Sequence, residues 1–187
     1  MRNARRQQGF NMIELLVVMA LGAILAGMAV PSFTSMLDRR AVAAEANRLV
    51  RSINLARSKA VNAESQLSVS IESTSGTAQD WSNGWRVFID ADNNPATAYN
   101  AATDEVLADI VLNTRALSIR SSANASTSIT FTSQGRLTAG LGQVDIGVCD
   151  STRSGNIDGS LVTISATGRT TVTPILAASQ PGMCVPP

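Results

Sequence analysis

Histidine is absent from the 187 residues, and aromatic side chains make up only 4% of them. Without histidine there can be no Ser-His or Cys-His nucleophile pair, and the commonest zinc ligand is missing. Asp80, Asp90, Asp92, Asp104 and Glu105 read as loop carboxylates with no nucleophile paired to a base. The sequence therefore offers no enzyme chemistry, no cofactor site and no metal centre. Charge bias is also lacking: 15 Lys and Arg stand against 14 Asp and Glu, a formal net charge of +1. That is not the basic excess of a nucleic-acid binder, although local arginine patches remain open. Few aromatics and many Ser, Thr, Ala and Gly suit an extracellular β domain. A periodic 44% of hydrophobic residues argues against disorder. The length allows one globular domain plus an anchor.

What the chain does have is one long apolar run. Leu15 to Val30 contains no charge and follows closely behind Arg2, Arg5 and Arg6. At about 1.5 Å per residue, a helix from Phe10 to Leu37 would measure roughly 40 Å, enough to cross a bilayer with some tilt. The arginines should stay cytoplasmic and the remainder be carried outward. Glu14 stands near the start of the run, where a carboxylate is costly and marks a function and a partner. Cys149 and Cys184 fall in the outward part, and an oxidising compartment makes a disulfide the expectation. Closing that loop stabilises by roughly 3 to 4 kcal/mol in the chain-entropy picture.

Gly9-Phe10, with Glu14 four residues after the Phe, arginines before and the apolar run behind, resembles the leader of type IV pilins and type II secretion pseudopilins. The resemblance implies that a prepilin peptidase cuts between Gly9 and Phe10. It further implies that Phe10 is N-methylated and that Glu14 pairs with a neighbouring subunit's terminal amine during assembly. Asn11 departs from the Thr that many members carry, a small polar exchange. Loss of the three leader arginines would take the formal charge from +1 to −2. An ordinary secretory signal fits less well, because the apolar stretch is long and continues as helix.

The resemblance divides the chain into a leader at 1–9, a transmembrane and assembly helix half at 10–37, an amphipathic half at 38–64 and a β-rich extracytoplasmic domain at 65–187. Gly22, Gly27 and Pro31 are poor helix formers, and Gly22 to Pro31 is where a helix break is expected. The break is either a static kink or the local melting that the resemblance implies for assembled pili. Beyond Pro31, Val42, Ala46, Leu49, Ile53, Ala56, Ala60 and Ala63 recur at helical spacing. Arg51 and Ser58 fall opposite. Arg39, Arg40, Arg48, Arg51 and Arg57 are expected on a solvated, subunit-contacting face.

After a helix end near Asn62 to Ser65, Leu67, Val69 and Ile71 alternate at strand period, and Ser73 to Asn83 reads as a loop. Strands are expected at Gly84–Asp90, Glu105–Leu112 and Ala116–Arg120. The carboxylates beside the turn after Asp90, with Asn94, could ligate calcium. The turn lacks Gly and Pro95 follows directly, so a hairpin tip with Asx turns fits better. Strand-to-Gly-Arg units end at Gly135-Arg136 and Gly168-Arg169, with Val144, Ile146 and Val148 alternating between them. One long helix followed by short strands predicts an α+β fold with an antiparallel sheet domain on the amphipathic stripe. The Gly-Trp-x-Val-Phe-x-Asp strand and the paired Gly-Arg turns resemble the minor pilins of FimT and FimU type and the H-type pseudopilin.

That resemblance implies a single-pass inner-membrane subunit that joins other major and minor pilins through its N-terminal helix. A place in the tip or priming complex of a type IV pilus is the leading expectation. A GspH-type pseudopilin of type II secretion is one alternative. A FimT-like DNA-binding pilin is another, with Arg136 and Arg169 as candidate contacts, although the second Arg of the Gly-Arg-x-Arg pattern is missing at Thr171.

Overall fold

The computed structural model describes residues 11–62, 67–92, 98–112, 117–125, 127–150 and 159–175. Gly9, Phe10, Ala63, Asn94 and Cys184 lie outside them. The chain divides into two compact units, Met1–Asp38 and Arg39–Pro187.

The single long helix α1 spans Met12–Asn62. Asn11 precedes it, a residue type that favours the cap position, and its carbonyl accepts the amides of Glu14 and Leu15. The helix span includes both Gly22 and Pro31. Pro31 forfeits one backbone donor, and glycine costs about 1 kcal/mol against alanine, so neither compels a gap in a helix this long. In the second unit the predicted stripe is buried: Val42, Ala46, Leu49, Ile53, Ala56 and Ala60 each expose 3% or less. Arg51 and Ser58 are exposed, as their opposite phase requires.

Eight strands follow: β1 Ser68–Ser73, β2 Gly84–Asp90, β3 Glu105–Val111, β4 Leu117–Ser121, β5 Ser128–Phe131, β6 Val144–Asp150, β7 Gly159–Ile164 and β8 Thr170–Ile175. They form two four-stranded antiparallel sheets, ordered β3-β2-β1-β5 and β4-β6-β7-β8. The chain leaves the first sheet at β4 and returns to it with β5, which pairs with β1 through Ile71↔Ile129. One apolar cluster unites the stripe of α1 with Val69, Ile71, Trp85, Val87 and Phe131 of the first sheet and Ile119, Val144, Ile146, Val148 and Ile164 of the second. Helix and both sheets thus share one core.

The segment before β2 is more ordered than its Ser, Thr and Gly content suggests. Trp81 is fully buried, its amide donates to the Ile119 carbonyl at 2.8 Å, and its indole Nε1 donates to Ser121 Oγ at 3.1 Å. A bridge between Asp80 and Arg120 completes the seam. This segment ties the first sheet to the edge of the second.

Candidate functional site

The head of α1 is the first candidate. Every residue from Asn11 to Gly27 is exposed, and the apolar ones lie on all sides of the helix, from Met12 at 83% and Leu16 at 63% to Leu25 at 68%. A helix that is apolar all round is built to be covered by lipid or by other helices. Glu14, in the first turn, is the one carboxylate there, placed where the helix dipole favours negative charge. A Cβ added at Gly22 or Gly27 would meet nothing within 4 Å, so no packing within the chain accounts for these glycines. Among the described residues, no helix is long and apolar enough to cross a membrane.

The second candidate is built by the two Gly-Arg turns, which share one conformation. In one, Thr132 N donates to the Arg136 carbonyl at 2.9 Å and Gly135 N to the Thr132 carbonyl at 2.8 Å. In the other, Ser165 N donates to the Arg169 carbonyl at 2.9 Å and Gly168 N to the Ser165 carbonyl at 2.8 Å. Both glycines take positive φ, 70° and 77°, which the turn demands and glycine adopts without steric cost. The turns lie side by side, joined by Leu137 N on the Ala166 carbonyl at 3.1 Å. Arg57 of α1 reaches them both, its Nε donating to the Gly135 carbonyl at 3.0 Å and its Nη2 to the Thr167 carbonyl at 3.5 Å.

Arg57 is therefore half-buried and internally bonded, not on the solvated face expected of it. It flanks the buried stripe, and the carbonyls it meets are 78 and 110 residues away, beyond what helical phase can report. Arg136 and Arg169 are both exposed on neighbouring turns, so the fold brings these two candidate contacts to one place. Replacing Arg57 with Gln should cost about 1.5 kcal/mol, the scale of charged hydrogen bonds to backbone, in denaturant unfolding of the full chain. The exposed Arg136→Gln and Arg169→Gln should each stay within about 0.5 kcal/mol of the parent.

The carboxylates after β2 are engaged locally. Asp104 accepts the amides of Ala91 at 3.2 Å and Asn100 at 2.8 Å, and Asn100 Oδ1 accepts the Ala102 amide at 3.0 Å, an Asx turn. Among the described residues no three His, Cys, Asp or Glu side chains are grouped to hold a metal. Tyr99 packs edge-on against Phe88 at 5.3 Å and lies 4.3 Å under the Arg86 guanidinium, which also pairs with Asp109 at 2.9 Å. Cys149 is buried at the end of β6 beside Leu161 and Ile175 and is disulfide-bonded.

A family model described as Type II transport protein GspH matches residues 45–168, and one described as a prokaryotic N-terminal methylation motif matches residues 4–30. The solved structure of the type IV minor pilin FimU from Pseudomonas aeruginosa is similar in fold, with a TM-score of 0.54 at 22% identity, covering 78% of this chain and 99% of that one. No curated protein matches the sequence. Most of the amphipathic stripe, the first sheet, three strands of the second and the first Gly-Arg turn fall within the GspH match, and the chain belongs to this family of minor pilins and pseudopilins, of type IV pilus or type II secretion type.

Proposed function

We propose that this chain is a minor pilin, cut between Gly9 and Phe10 by a prepilin peptidase and methylated on Phe10. It is held in the inner membrane by its N-terminal helix half and then built into a type IV pilus, in the tip or priming complex. The observation that carries this reading is the exposed helix surface, apolar on every side, with Glu14 alone in its first turn. Water cannot be its working environment: burying one Leu, Val or Ile side chain contributes about 1.5 to 3 kcal/mol, and the helix presents many of them. Gly22 and Gly27 allow close helix approach, as small residues do between apolar helices. Helices packed in this way exclude water from around Glu14, which strengthens its attraction to a neighbour's amine. A disulfide from Cys149 to Cys184 would hold the tail on an extracytoplasmic head.

The test is the mature N-terminus. Mass spectrometry of the chain recovered from sheared filaments should find it beginning at methylated Phe10. A chain beginning at Met1, or confined to the cytosol in fractionated cells, would remove the reading.

DNA binding is a second reading, favoured by one observation: Arg136 and Arg169 are exposed on adjoining turns. Such contacts are salt-sensitive and weak when few. An electrophoretic titration of the detergent-solubilised chain with duplex DNA at low salt decides it, and no shift eliminates the idea.

A further inference from the structure

The formal charge of the chain is near zero, yet one corner of the second unit carries charge of a single sign. Three segments meet around Arg57: 46–62 of α1, 128–143 with the first Gly-Arg turn and 159–175 with the second. Together they hold Arg48, Arg51, Arg57, Lys59, Arg136 and Arg169, and no Asp or Glu. Arg48 pairs with Glu45 at 3.8 Å, whereas Arg51, Lys59, Arg136 and Arg169 are exposed and meet no carboxylate among the described residues. Beside the last turns of the helix lies an open recess of about 380 Å³, lined by Asn54, Arg57, Ser58, Val61 and Asn62. Arg57 has donors to spare there. A guanidinium carries five N–H groups in a planar fork. Its Nε and one Nη2 hydrogen are taken by the Gly135 and Thr167 carbonyls, which fixes the plane of the group. The opposite edge, formed by Nη1 and the second Nη2 hydrogen, has no acceptor among the described residues. Such an edge grips an oxyanion through two parallel bonds. Asn62 Nδ2 donates to Ser58 Oγ at 3.3 Å, so the Ser58 hydroxyl hydrogen is left for an outside acceptor, and the Asn54 amide is exposed beside it.

We infer that this recess binds a phosphate group, with the free edge of Arg57 on two of its oxygens and Ser58, Asn54 and Asn62 donating to the others. The sign of the ligand follows from a set of cations with no counter-charge. Its oxygen count follows from the donors: a phosphate ester presents three acceptor oxygens, and a carboxylate, with two, leaves part of the set idle. Recesses of roughly 300 to 1,000 Å³ are the usual size for small ligands, so this one has room for the ester's organic part against Val61. The phosphate belongs either to a free phosphomonoester or to a DNA backbone, and the chemistry that holds it is the same. The recess does not depend on the filament reading, and it bears on the DNA reading only through the source of the phosphate.

The test is a calorimetric titration of inorganic phosphate into the full chain in mild detergent, with chloride holding the ionic strength constant. A single saturable site is expected. Arg57 also supports the fold, so the decisive variant is Ser58→Glu, at an exposed position, which sets a carboxylate on the wall of the recess and should weaken phosphate binding about tenfold or more. Arg40→Gln removes an exposed charge about 25 Å away along the helix and should leave binding within about twofold. No saturable binding, binding indifferent to Ser58→Glu, or an equal loss in Arg40→Gln overturns the recess. Duplex DNA is then added at low salt. Phosphate displaced by DNA supports a backbone source, and phosphate retained supports a free ester. A DNA shift in a chain that binds no phosphate overturns the recess and leaves the DNA reading in place, while phosphate binding without a DNA shift supports the recess and removes that reading.

Discussion

Replacing Glu14 with Ala should leave the chain in the membrane at normal abundance and lower its incorporation into sheared filaments by about tenfold or more, a loss of at least 1.4 kcal/mol. The two effects have opposite physical origins. A carboxylate near the start of an apolar run costs free energy on insertion, so its removal cannot hinder entry into the bilayer. In the assembly proposed above the same carboxylate would face a neighbour's amine, and a pair at 4 Å attracts by about 4 kcal/mol where the effective dielectric is near 20. Desolvation consumes part of that, and the remainder still covers a tenfold effect. Glu14→Gln should fail in the same way, because it keeps the shape and removes the charge. The measurement is the ratio of filament to membrane signal for each variant. A ratio equal to wild type for Glu14→Ala would show that apolar packing alone sets assembly.

The other large effect is expected at Gly168. Its φ of 77° costs a residue with a side chain about 1 to 2 kcal/mol. An added Cβ would also stand 2.2 Å from the Gly135 carbonyl oxygen and 3.0 Å from Arg57 Nε. The two turns must then separate, which strains the Leu137 amide to Ala166 carbonyl bond and the Arg57 bond to Gly135. Each is a net contribution of about 1 kcal/mol, so Gly168→Ala should destabilise the domain by about 3 kcal/mol or more. Gly142 provides the comparison, since its φ is 59° and a Cβ there meets nothing within 4 Å. Gly142→Ala should lose only the conformational part, about 1 kcal/mol. Denaturant unfolding of the full chain in detergent reads both. Equal losses would mean that the close approach of the turns contributes nothing.

The comparison of Arg57 with its neighbours shows where reading a sequence stops. Val42, Ala46, Leu49, Ile53, Ala56 and Ala60 recur at helical spacing, and all of them are buried, because periodicity records which face of a helix leaves water. Arg57 belongs to the same turn of helix, yet its partners are carbonyls in two distant turns. No local pattern carries that pairing. Trp81 is similar: surrounded by loop-forming residues, it becomes core because the Ile119 carbonyl and Ser121 hydroxyl of a strand far along the chain meet its two donors.

What the amino-acid order determined alone is the part whose physics is local: an apolar helical run with one acid near its head, an amphipathic stripe behind it, and strands marked by alternation. What only the tertiary structure decided is pairing at a distance. The strands divide into two sheets instead of one, β5 returns to β1, and the twin turns meet over Arg57. Alternation tells a strand which face to bury but not which edge to join. That choice is made by the fit of surfaces far apart in the chain, where a glycine lacking a Cβ and a guanidinium of the right reach have to arrive together.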